Sequence, residues 1–297
     1  MTAAVRVGAW RVWLAQGPRG EPGDPQARAR QWLDLVERVA AAPAPWHRSK
    51  HALTDRVLLD GETVYVKRYQ RYRPRTQLKD MVRASKARHA MRVGAELAAA
   101  GFAVPRVLAA AEERRGPLLR GAWLATAALD GVPLVERLAT FAAAPAHDVS
   151  ERRRRLAAKR RLLASLGSCV GRLHAAGFVA GDLVPANVWS VEPDEGATIA
   201  LLDHDRTRRG AAPAPWIRAR RNLVQLNRFA LPGVVLTDRL RVYRDYAAAR
   251  GWSRDAARRR LPWVVAKTIE RRRRFDGIDD AAARGFRALM RAPGGRT

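Results

Sequence analysis

Residues 173–206, LHAAGFVAGDLVPANVWSVEPDEGATIALLDHDR, constrain this chain more than any other stretch. They hold Gly181-Asp182-Leu183, then Asn187 five positions after the aspartate. An apolar run over 188–191, a turn and a second apolar run over 199–202 follow, and Asp203 closes the second run. The pattern predicts a two-stranded hairpin. Antiparallel pairing joins the start of one strand to the end of the next, so Asn187 and Asp203 are expected together beside Asp182. A carboxylate, an amide and a second carboxylate in that arrangement suit phosphoryl transfer. One carboxylate orients an attacking hydroxyl, and hard oxygen ligands hold Mg²⁺ on nucleotide phosphates. Asp182 is the candidate base, and Asn187 and Asp203 are the candidate metal ligands. The plainer alternative makes Asp182 a turn cap and Asp203 a solvated strand end.

A second piece lies upstream. Residues 58–69, LLDGETVYVKRY, read as a hairpin around Asp60-Gly61, a pair that favours a type I′ turn between β-rich runs. Lys67 sits in the alternating second strand, where a lysine can hold the α- and β-phosphates of a nucleotide. The alternative is a solvated edge residue. A strand lysine, then Asp-x4-Asn, then an aspartate after a strand is the order found in protein kinases.

At this point the chain resembles a known family. VYVKRY, GF-VP-RVL, LH-AAG-FVAGDL-VPAN and LLDHDR look like the lipopolysaccharide core kinases of the Kdo-kinase and heptose-kinase group, over about residues 48–250. The resemblance implies an α+β, protein-kinase-like fold, with a small antiparallel-sheet N-lobe and a larger helical C-lobe. It implies ATP bound between the lobes and ATP-dependent phosphorylation of a sugar hydroxyl of the lipopolysaccharide inner core, on Kdo or heptose. Lys67 would hold the phosphates, Asn187 and Asp203 would hold Mg²⁺, and Asp182 would accept the hydroxyl proton. The chain also departs from the pattern. Ala180 stands where such loops usually carry a histidine that buttresses the loop. The helix expected from about Thr76 to Ala100 offers Lys67 only Asp80 near its start and Glu96 near its end. No G-x-G-x-x-G precedes the hairpin, and no Ala-Pro-Glu follows Asp203.

With 297 residues, 47% of them hydrophobic, the chain is long enough for a sizeable core. The expected division is an N-terminal extension with a helix over 1–45, an N-lobe over 46–131 and a helical C-lobe over 132–297. Residues 129–131, Leu-Asp-Gly, would link the lobes where adenine meets backbone groups. The single Cys169 excludes a disulfide framework and fits a reducing cytoplasm; it lies in an apolar helix as a buried, inert thiol. No run of eighteen apolar residues predicts a membrane span, and Arg6 and Arg11 break the N-terminal apolar stretch, which makes a poor signal peptide.

The formal charge is +28, from 56 Lys and Arg against 28 Asp and Glu. Part of this reflects an Ala/Arg bias along the whole chain. The rest favours polyanionic partners, such as a phosphorylated glycolipid or the anionic face of a membrane. Basic clusters at 258–260 and 271–274 flank Trp263, a pattern that suits peripheral attachment to the inner membrane. A nucleic-acid partner has no recognition motif here. Two other readings stay open on the sequence. One is a small-molecule phosphotransferase of the aminoglycoside type on the same fold, against which the basic surface argues. The other is a catalytically inactive kinase-like binding module. His174 reads as a buried structural histidine, and Asp205 as a second metal carboxylate or a partner of a nearby arginine.

Overall fold

A computed structural model describes residues 4–15, 24–49, 51–70, 83–142, 148–191 and 198–276. The chain divides into two compact units. The first comprises residues 1–129 with 203–206, and the second comprises 130–202 with 207–297.

The first unit contains, in order, β1 (Ala4–Val7), β2 (Trp10–Leu14), α1 (Pro25–Ala40), β3 (His47–Arg48), β4 (Ala52–Leu59), β5 (Glu62–Tyr69), α2 (Lys86–Ala99), β6 (Val107–Arg115) and β7 (Leu118–Ala127). Its strands form one antiparallel sheet in the order β1-β2-β6-β7-β5-β4-β3. The β4–β5 hairpin closes at Leu59↔Glu62. Asp60 and Gly61 both have positive φ, 51° and 81°, as a type I′ turn requires. Strand alternation then divides β5 between two faces. Val64 and Val66 are buried with Trp32, Leu35 and Val36 of α1 and Trp123 of β7. Tyr69, two positions on from Lys67, packs on the opposite face with Ala87 and Ala90 of α2. Lys67 therefore lies on the α2 face, with Leu124 of β7 as its ladder neighbour.

Two expectations are corrected here. The segment expected as an N-terminal extension is part of the first unit: β1 and β2 extend the sheet through β6, and α1 supplies a third of the buried residues of one core. Trp13 of β2 and Trp32 of α1 are buried, each 7% exposed, so both elements bury a large apolar side chain within the first unit. The long helix before Gly101 begins, among the described residues, at Lys86 rather than near Thr76. Ser85 caps it by accepting from the Arg88 N–H, and the Ser85 N–H donates to buried Glu112. The Arg114 guanidinium and Ser85 hold the Glu112 carboxyl below the ordinary carboxylate range against the opposing effect of burial.

The second unit contains β8 (Val132–Pro133), α3 (Leu134–Ala142), α4 (Val149–Ala175), β9 (Phe178–Val179), a single 3₁₀ turn (Pro185–Asn187), β10 (Val188–Val191), β11 (Thr198–Leu201), β12 (Arg208–Arg209), α5 (Trp216–Asn227), α6 (Leu236–Ala249) and α7 (Arg254–Asp276). A three-stranded sheet runs β11-β10-β8, and β9 pairs with β12. The expected hairpin is present as β10–β11, in register Val188↔Leu201. Helices α4 and α6 meet at Gly167 and Gly171. A Cβ on Gly171 would lie 2.6 Å from the Tyr246 carbonyl oxygen, and one on Gly167 would lie 3.1 Å from the Tyr246 nitrogen. Those two glycines let the backbones approach closely enough for Tyr246 to reach His174. No helix among the described residues is long and apolar enough to cross a membrane.

Candidate active site

In the first unit, the strand lysine has a carboxylate partner that sequence spacing does not reveal. The Lys67 ammonium lies 2.6 Å from Asp203 Oδ1 and 3.8 Å from Asp205 Oδ2. Glu96 pairs with Arg92 at 2.6 Å, and Asp80 lies outside the described residues. Asp203 has φ +58°, the left-handed region that a non-glycine residue enters at a cost of about 1–2 kcal/mol. Such strain persists where surrounding contacts over-determine it, and it clusters at functional sites.

Burial and the neighbouring Asp203 carboxylate raise Asp205 above its ordinary range, while Lys67, Lys86 and Arg206 pull it back. Two carboxylates that repel one another in a partly buried place suit a divalent cation. Mg²⁺ commonly takes one or two carboxylates and fills its remaining positions with water and phosphate oxygens. No group of three or more His, Cys, Asp or Glu side chains gathers among the described residues, so a denser metal cage is absent there. Tyr69 completes the cluster. Its ring lies 5.4 Å from the Lys67 ammonium and 5.9 Å from that of Lys86. Its hydroxyl is buried without a hydrogen-bond partner among the described residues, and burial with the two aspartates raises its pKa well above the usual value.

In the second unit, the loop after β9 turns its residues alternately in and out. Leu183 is buried and Asp182 is exposed. The Asn187 side-chain amide donates to the Asp182 carbonyl at 3.0 Å, so its amide oxygen is the atom left for a cation. The Leu202 N–H donates to the Asn187 carbonyl at 2.9 Å, which ties the end of β11 to that loop.

Two residues of α5 also grip the loop, and sequence reasoning passed over both. Asn222 is fully buried; its Oδ1 accepts from the Ala180 N–H at 3.0 Å, and its Nδ2 donates to the Ala180 carbonyl at 2.8 Å and to Gln225 Oε1 at 2.7 Å. Gln225 Nε2 donates to Asp182 Oδ1 at 3.3 Å and to the Gly181 carbonyl at 3.4 Å. Behind them stands His174, buried as expected, with Nε2 3.0 Å from Asn222 Oδ1 and Nδ1 3.0 Å from the Tyr246 hydroxyl. Since Asn222 Oδ1 can only accept, the imidazole proton sits on Nε2 and Tyr246 donates to Nδ1. Burial holds the imidazole pKa down to about 4, against a rise from Asn222, so His174 is neutral near pH 7.

The model of the lipopolysaccharide kinase (Kdo/WaaP) family matches residues 47–248 of this chain. The chain belongs to that family. It is therefore a lipopolysaccharide kinase, a phosphotransferase that acts on an alcohol group. No curated protein matches the chain. Among solved structures, WaaP in complex with acyl carrier protein matches over 88% of this chain and 98% of its own, at 23% identity and a TM-score of 0.61. That likeness shows the fold, which is mixed α/β with a seven-stranded antiparallel sheet and is kinase-like.

Proposed function

We propose that this kinase transfers the γ-phosphoryl group of ATP to a hydroxyl of Kdo or heptose in the lipopolysaccharide inner core. The observation that supports it best is the Lys67–Asp203 ion pair, formed by residues 136 positions apart in the chain. A nucleotide can exchange into such a pair. Lys67 would release Asp203 and hold the α- and β-phosphates, and Asp203 would turn its carboxylate to the metal with Asp205; the Asn187 amide oxygen is the second unit's candidate metal ligand. Bound Mg²⁺ would supply charge neutralisation on the phosphate oxygens. Asp182, exposed and fixed through its own carbonyl and one carboxylate oxygen, would orient the sugar hydroxyl and accept its proton as the phosphoryl group leaves. Catalysis of this kind is mostly positioning and charge stabilisation.

The basic surface supports the acceptor class. A net charge of +28 favours a phosphorylated glycolipid over a cationic antibiotic. Peripheral attachment to an anionic membrane face belongs to the same proposal. The test is transfer from radiolabelled ATP to core oligosaccharides that carry Kdo alone or Kdo with heptose. Label on one of these acceptors, lost in Asp182→Asn while ATP binding remains, is the expected result. Near-normal transfer by Asp182→Asn would sink the assignment of the base.

A further inference from the structure

We infer that Asn222 and Gln225 of α5 are positioning residues for the proposed base, in place of a buttressing side chain at position 180. The inference rests on the reading of Asp182 given above. Ala180 has only a methyl group, so it cannot brace the loop through its side chain. The bracing comes from outside the loop. Asn222 holds both the N–H and the carbonyl of Ala180, at 3.0 and 2.8 Å, and flipping its amide would set a donor against the Ala180 N–H. One turn further along α5, Gln225 Oε1 accepts from Asn222 and, at 3.5 Å, from the Leu183 N–H. The Gln225 Nε2 then reaches the Asp182 carboxylate itself.

Three consecutive loop residues and Leu183 are thus tied to one face of one helix. Asn222 in turn is held by His174, and His174 by Tyr246, both fully buried. A satisfied buried network of this kind has one arrangement, because any rotation leaves a polar atom unpaired. Gln225 is half-buried and sits at the open end of the network, so it can be altered without opening the core. Its donor to Asp182 distinguishes positioning from packing. Gln225→Leu removes donor and acceptor together. Gln225→Glu keeps an acceptor for Asn222 and Leu183 but replaces the donor to Asp182 with a like charge.

The test measures kcat and KM for ATP, together with melting temperature, for the full chain and for Asp182→Asn, Gln225→Leu, Gln225→Glu and Asn222→Ala, using Kdo- and heptose-bearing core oligosaccharide as acceptor. The expected result is a fall in kcat of about 10- to 100-fold in both Gln225 variants, with KM for ATP within about threefold of wild type, as for misplacement of a catalytic group by a fraction of an ångström to an ångström. Their melting temperatures stay at the wild-type value. Wild-type turnover in Gln225→Glu would overturn the proposal, since the donor would be dispensable. So would loss of activity that appears only with a lowered melting temperature. If Asn222→Ala does not fold, the two Gln225 variants decide alone. Turnover retained by Asp182→Asn would instead refute the reading of the base, a result that the Gln225 variants cannot mimic.

Discussion

Acidification should destabilise the second unit through His174, by an amount that follows from the structure. The folded imidazole titrates at about 4, against an ordinary value of 6.5, because burial disfavours the charged ring and Arg250 adds repulsion. A proton could enter only at Nδ1, where the Tyr246 hydroxyl now donates, so protonation also inverts that hydrogen bond. Between the two values the unfolded chain binds the proton and the folded chain does not. Stability is therefore complete above about pH 6.5 and is lost as pH falls toward 4, at up to about 1.4 kcal/mol per pH unit. From pH 7 to pH 4.5 the loss from this residue is about 2.5 kcal/mol. Carboxylates such as Asp238, lowered from the ordinary value by Lys159, lose their contribution at still lower pH, so a variant without the imidazole isolates the His174 effect. His174→Gln provides the reference, since its amide cannot titrate. Urea unfolding, followed by the helical circular dichroism signal at pH 7 and pH 4.5, should show wild type losing about 2.5 kcal/mol more than the variant. Equal losses in the two proteins would refute the assignment of a neutral, fully paired imidazole.

Three further outcomes follow from other parts of the structure. Gly171→Val should lower stability by about 1–3 kcal/mol or more, because its Cβ meets the Tyr246 backbone; a melting temperature equal to wild type would contradict the close α4–α6 approach. Cys169, buried and with its thiol pushed up to about 11, should resist a thiol reagent at pH 8 until denaturant is added, and rapid labelling of the native protein would show otherwise. The basic chain should bind vesicles that contain anionic lipid and release them as salt rises; binding that is indifferent to lipid charge would count against the peripheral attachment proposed here.

Local chemistry made parts of this fold legible in the sequence. Asp60-Gly61 announces the β4–β5 hairpin because few other pairs tolerate two positive φ values, and alternation puts Lys67 opposite Val64 and Val66. The 188–201 hairpin is equally local. Features set by distant pairing were not legible. Strand β2 joins β6 about a hundred residues later, and nothing in AWRVWL names that partner. The carboxylate beside Lys67 comes from Asp203, while the helix nearest in sequence suggested other candidates. Asn222 and Gln225 look like ordinary polar positions on an amphipathic helix; only the packing of α5 against the loop gives them a role. Residue 180 shows the same limit. The missing histidine is visible in the sequence, whereas the support supplied from α5 is not.

The central claim is that Lys67 and Asp203 form a nucleotide site, and a thermal-shift titration with Mg-ATP on wild type and Asp203→Ala tests it most directly. A ligand that binds only the folded state stabilises it by about 2.7 kcal/mol at a hundred times its dissociation constant. The melting temperature should rise with Mg-ATP in wild type and stay nearly flat in Asp203→Ala. No shift in wild type at millimolar nucleotide, or an equal shift in both proteins, would contradict it.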